Sequence, residues 1–179
     1  MDAQDQRNAQ NPQTDAQDPQ PQSPFQRLVA TLDYPVYIVT TATRTQTAGC
    51  LIGFATQCSI NPPRFLVCIS KKNRTLEIAR QADVLAVHVV DEKDMNLAET
   101  FGGETGDEVD KFARVSWHYV HGVPVLDSCK RWFAGTVLGR IALGDHVGFL
   151  LEPIEAEKSA QSEQLTFQEA RKIEPGHPP

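Results

Sequence analysis

Short apolar runs cut by turn-forming residues dominate this sequence from Tyr34 to Ile154 and leave no room for a long helix. Residues 34–41 (YPVYIVTT), 65–70 (FLVCIS) and 84–90 (VLAVHVV) are rich in β-branched and aromatic side chains and read as strands. The second follows a Pro62-Pro63 breaker, in which Pro63 pushes Pro62 towards an extended conformation. Residues 132–143 and 146–154 flank Gly144-Asp145, which reads as a tight hairpin turn. Residues 49–60 form a further β-rich segment. Two helices interrupt the strands. Asn73 caps residues 74–81, offering Leu76, Ile78 and Ala79 to a core. Asp94 or Asp91 starts a second helix to Phe101, with Leu97, Ala98 and Phe101 on its apolar face. A short third helix is expected within residues 163–172. The pattern predicts a mainly β protein with short helices, built as a β-barrel with helical caps. No internal repeat is visible.

At 179 residues the chain suits one domain and a tail. Residues 1–24 hold seven Gln and four Pro, and their only apolar members are Met1 and three Ala. Such a segment buries too little surface to offset its chain entropy, so a disordered tail is expected there. The same segment carries about half of the net charge of −6. The domain is expected over residues 25–156, followed by a polar C-terminal extension over 157–179.

The charge balance, with no Lys/Arg block, argues against a nucleic-acid footprint. Apolar runs fall well short of the ~20 residues that span a bilayer, and no basic start precedes an apolar segment. Neither membrane insertion nor secretion is expected. Cys50, Cys58, Cys68 and Cys129 form no C-x-x-C pair, so neither a zinc site nor a disulfide scaffold is suggested, and a reducing cytoplasm is the expected home. The chain has no Gly-rich dinucleotide fingerprint, P-loop or nucleophile elbow. His118-x-x-His121 lacks a third ligand at a sensible spacing and reads as two polar residues at a strand end. The acidic run 104–110 lacks the oxygen spacing of a Ca²⁺ loop and reads as a solvated loop, so no metal is expected.

What remains is residues 48–75, AGCLIGFATQCSINPPRFLVCISKKNRT. Gly49, Gly53, Thr56, Gln57 and Ser59 are small or polar positions on one β-rich segment, where a planar ligand could approach the main chain closely. The next strand ends in Ser70-Lys71-Lys72-Asn73-Arg74-Thr75 and opens a helix. Hydroxyls, cations and a helix N-terminus within six residues make either a phosphate cradle or an ordinary capped helix with solvated cations.

These pieces resemble the short-chain flavin reductase family, the FMN-binding split-barrel reductases of two-component flavin-dependent monooxygenases. The match runs from about Leu32 to Ala156. It comprises PVYIVTT (35–41), ATQCSINPP (55–63), CISKKNRT (68–75), NLAETFG (96–102), DKF (110–112), GVPVL (122–126) and GDH (144–146), in that order. The resemblance implies an FMN-binding split β-barrel over 25–156, with the isoalloxazine ring lined by the segment of Gly53, Ala55, Thr56, Gln57, Cys58 and Ser59, whose main-chain N–H groups meet its polar edge. Cys50 and Leu51 lie beside the path to the ribityl phosphate. Ser70, Lys71, Asn73, Arg74 and Thr75 match the part that meets the ribityl phosphate, and His146 matches a His found near flavin and nicotinamide. Many relatives carry Asn-Ser-Phe where this chain reads Gly53-Phe54-Ala55.

The implied activity is hydride transfer from NADH or NADPH to FMN, with FAD as a further acceptor, and delivery of reduced flavin to a partner monooxygenase by a homodimer. Such chemistry resides in the cofactors, which accounts for the lack of a triad, carboxylate pair or metal motif. A flavin carrier, electron-transfer protein or sensor of the same fold is the competing expectation.

Overall fold

The computed structural model describes residues 22–104, 106, 109–158, 162–174 and 176. Contacts divide the chain into residues 1–32 and residues 33–179. In the first unit, helix α1 (Pro24–Val29) begins with a capping box. The Ser23 hydroxyl accepts from the Gln26 amide, while the Gln26 side chain accepts from Ser23 N–H. The disordered tail expected over residues 1–24 lies, up to residue 21, outside the described residues.

The second unit contains β1 (Tyr37–Ala42), β2 (Thr47–Ile52), β3 (Ala55–Ser59), β4 (Arg64–Ser70), α2 (Thr75–Ala79) and β5 (Val84–Val89). After them come α3 (Met95–Gly102), β6 (Trp117–Val120), β7 (Val123–Leu126), β8 (Arg131–Leu143), β9 (His146–Lys158) and α4 (Phe167–Ala170). One antiparallel sheet has the order β2-β1-β5-β8-β9-β4-β3, and β6 and β7 form a separate hairpin. Cys50 and Ile52 of β2 share a buried cluster with Val67 and Ile69 of β4, near the other end of that order. The sheet therefore curls upon itself around one interior, as a split barrel does. Leu76 and Ala79 of α2 belong to the same interior cluster.

Strand alternation gives β1 two buried faces. Val39 points into the barrel, while Ile38 joins Phe101, Leu126 and Leu165 in a second cluster outside it. Each such fully buried aliphatic side chain contributes ~1.5–3 kcal/mol through removal from water. His88 of β5 is fully buried between the layers. Its Nδ1 donates to Ile38 O at 3.0 Å, and its Nε2 accepts from Leu126 N–H at 3.1 Å. Burial drives its pKa down to about 4, and only the neutral tautomer fits both bonds.

The β-rich segment 49–60 is two strands rather than one. Its halves find different partners: β2 pairs with β1, and β3 pairs with β4, with Gly53-Phe54 between them. The hairpin β6–β7 turns at His121 and Gly122, whose φ values of 48° and 79° are those of a tight hairpin turn. His118 meets Asp127 and His121 meets Glu155, so each imidazole engages a separate carboxylate. β9 continues to Lys158, beyond the expected strand end at Ile154. In the expected polar extension Leu165 is fully buried, hydrogen-bonded through its main chain to Val36 and Val90. The helix there is four residues long, shorter than expected, because residues 164 and 166 form bridges to Asp91 and Pro35. Among the described residues no helix is long and apolar enough to cross a membrane.

Candidate active site

The β4–β9 ladder places His146 directly opposite Ser70. Lys71 N–H then bonds Asp145 O at 2.9 Å, tying the 144–145 turn to the cationic loop after β4. A cavity of about 840 Å³ opens there, lined by Leu51, Gly53, Phe54, Ser70, Lys71, Lys72, Asn73, Asp145, His146 and Phe167, among others. Its size lies in the range of pockets that enclose a cofactor. Two smaller cavities also border β2. One, of about 210 Å³, shares Leu51, Ile52, Gly53, Asn73 and Phe167 with the first. The other, of about 360 Å³, is reached past Arg74 and is lined by Gln46–Gly49, Thr75 and Lys111.

The walls are aromatic. Phe54, half-exposed, meets the His146 ring edge-on with centroids 5.2 Å apart. Tyr34 stacks on Phe167 at 4.8 Å and lies 6.3 Å from Phe54. His146 Nδ1 is engaged by the Asp145 carboxylate at 2.7 Å, which leaves Nε2 as the ring nitrogen a ligand can meet. That hydrogen bond, and then the imidazole charge, hold the Asp145 carboxyl below its usual range.

The cationic loop uses its own polar atoms before any ligand arrives. Asn73 Oδ1 accepts from Thr75 N–H at 3.0 Å, and Ser70 Oγ accepts from Lys72 N–H at 3.3 Å. The main-chain N–H groups of Asn73 and Leu76 bond Ser70 O and Asn73 O. The helix is only five residues, so its dipole adds little. Anion attraction here comes from Lys71, Lys72 and Arg74. Arg74 also donates to Gly106 O, bracing the loop across the smaller cavities.

Of the residues singled out from sequence, Leu51, Gly53, Ser70, Lys71, Asn73 and His146 come together around the large cavity. Arg74 and Thr75 line the adjoining ones. Cys50 lines none of these three cavities. It is buried in the barrel interior, where burial pushes its thiol up to about 11. Ala55 packs against that interior, whereas Thr56, Gln57, Cys58 and Ser59 lie on the edge strand β3, away from these three cavities. Phe54, Asp145 and Phe167 were not singled out. Asp145 stands within the GDH turn and Phe54 within the Gly53-Phe54 break, so both had a local signal. Phe167 had none, because it reaches the cavity through pairing with distant strands.

The curled seven-stranded sheet carries an aromatic cleft with a cationic loop at one end, a shape and charge that suit a planar, anionic ligand. The chain belongs to the flavin reductase like domain family, whose model matches residues 29–174. Two proteins of Rhizobium meliloti (strain 1021) match at 33% and 30% identity, each over 61% of this chain. The second is the stachydrine N-demethylase reductase subunit Stc3. This chain spans only 36% and 48% of their lengths. It is also 26% identical to the FMN reductase (NADH) RutF of Pseudomonas syringae pv. syringae, over 62% of this chain and 63% of that protein. The solved Streptomyces globisporus C-1027 NADH:FAD oxidoreductase SgcE6 shares the fold with a TM-score of 0.73 and 23% identity, covering 80% of this chain and 86% of that one.

Proposed function

We propose that this chain is an NAD(P)H-dependent flavin reductase, taking FMN as its main acceptor and FAD as a second one. The observation that carries this reading is the 840 Å³ cavity, in which the rings of Phe54, His146 and Phe167 meet Lys71 and Lys72. The residues fit a flavin: flat apolar walls suit a tricyclic ring, and the lysines suit a phosphate. When bound, flavin and nicotinamide supply the hydride chemistry themselves. The protein's part is to orient the rings, exclude water and place charge. Lys71 and Arg74 draw the phosphate end, with Asn73 beside them. Gly53, lacking a side chain, leaves room for the Tyr34 and Phe167 rings at the cleft. His146, fixed by Asp145, sits at the cleft where its Nε2 can donate to or stack against the nicotinamide.

The reduced flavin would pass to a partner monooxygenase, a reading supported by the reductase-subunit relative. Work as a cytoplasmic homodimer is part of the same proposal. It is supported by exposed apolar side chains along the β8–β9 arm, Leu138, Ile141, Leu143 and Ile154, and by the open edge strand β3. In such a dimer Thr56, Gln57, Cys58 and Ser59 could complete a cleft from an exposed edge.

Anaerobic mixing of the protein with NADH or NADPH and FMN, followed at 340 nm and at the flavin band, tests the reading. The expected result is stoichiometric loss of both absorbances. Tight flavin binding without nicotinamide oxidation would instead identify a flavin carrier or sensor.

A further inference from the structure

Phe167 is placed unlike its neighbours on the C-terminal segment. Leu165 and Ala170 are buried in the outer cluster and already anchor that segment, whereas Phe167 is only half-buried and borders both the 840 Å³ and the 210 Å³ cavities. Its ring lies at 17° to that of Tyr34, a true stack. Its main chain is pinned: Phe167 N–H bonds Tyr34 O at 2.8 Å, and Gln168 N–H bonds the Asp33 carboxylate at 3.0 Å. Gly53 faces the pair. A Cβ there would stand 3.1 Å from the Tyr34 ring and 3.4 Å from that of Phe167, so the ring pair occupies the space a side chain at 53 would take.

We propose that Phe167, backed by Tyr34, is the ring-stacking wall of the cleft, so that the C-terminal segment determines affinity for the planar part of the ligand. The inference rests on the flavin reading above. A ring held by a stack and by main-chain hydrogen bonds loses little freedom when a second planar system lies against it, and that pre-organisation favours binding. Stacking is indifferent to the phosphate, which separates this wall from the lysine end of the cleft.

The test is titration of the full chain with FMN and with riboflavin, read by flavin fluorescence and by the visible absorbance band. In Phe167→Leu both flavins should bind about tenfold more weakly, and the band shift on binding should shrink, because stacking is lost. Phe167→Tyr keeps a ring and should retain both affinities. Gly53→Ala presses on the ring pair and should weaken both flavins equally, which carries the test if the leucine variant fails to melt cooperatively. Unchanged affinities in Phe167→Leu and Gly53→Ala, or loss for FMN alone, overturn the proposal. Wild-type protein that binds neither flavin overturns the flavin reading itself.

Discussion

His88 and His146 are the same residue in two opposed settings, and each is informative about its surroundings. His88 is shut between sheet and hairpin, with both ring nitrogens consumed by Ile38 O and Leu126 N–H. His146 stands at a cavity beside an exposed carboxylate, with one nitrogen engaged by Asp145. Burial makes the first imidazole a neutral structural strut. Partial exposure and a single partner leave the second available for chemistry. Core and cleft should therefore answer differently to the same perturbation: stability for one, ligand and rate for the other.

The largest effect belongs to the core. His88→Ala removes a buried ring and strands two main-chain groups, so a loss of about 3–5 kcal/mol in unfolding free energy is expected by urea titration. Flavin affinity of the remaining folded fraction should hold. Acid probes the same strut. The His88 pKa is about 4 in the folded state against an ordinary 6.5, so the unfolded chain takes up the proton first. Its stabilising share is fully present above pH 6.5 and drains away as pH falls towards 4, by roughly 3 kcal/mol. Urea midpoints for wild type and His88→Gln across that window check this. A parallel decline in both would remove His88 as its source.

At the cleft the expected changes are smaller and leave the fold alone. Lys71→Ala should weaken FMN binding by ~1.5–3 kcal/mol through loss of a charge-assisted contact, while riboflavin binds as before. Equal losses for the two ligands would move Lys71 away from the phosphate. The smallest effect is that of His146→Ala. A several-fold slower flavin reduction is expected in anaerobic stopped flow, about 1 kcal/mol in the barrel-bound step, with the melting temperature nearly unchanged. A lower melting temperature with an intact rate would make His146 a second His88.

Local signals were enough for much of the barrel. Runs of β-branched residues located β1, β4, β5, β8 and β9, because strand propensity and strict alternation survive in any context that buries them. Asn73 accepts from Thr75 N–H as a capping side chain would, but the helix runs only over Thr75–Ala79, shorter than the expected 74–81, with Arg74 at its N-cap position. Gly144-Asp145 announced its own hairpin, since a tight turn acts within about three residues of the chain. The cationic loop was legible for the same reason. The family pattern brought Leu51, Gly53 and His146 into view as cleft candidates.

What local reading missed depends on partners far along the chain. Nothing between residues 49 and 60 shows that β2 ladders with β1 while β3 crosses to β4; closure of the sheet imposes that break at Gly53-Phe54. Cys50 sits in the same promising stretch as Leu51, yet alternation turns it into the barrel interior and away from the three cavities. The stretch after Glu157 is polar in composition, and only its pairing with Val36 and Val90 buries Leu165 and lays Phe167 over the cleft. Propensity, turns and caps are energies between neighbours, so a sequence displays them directly. Ladder partners and cavity walls are energies between distant residues, and they exist only once the curled sheet has brought those residues together.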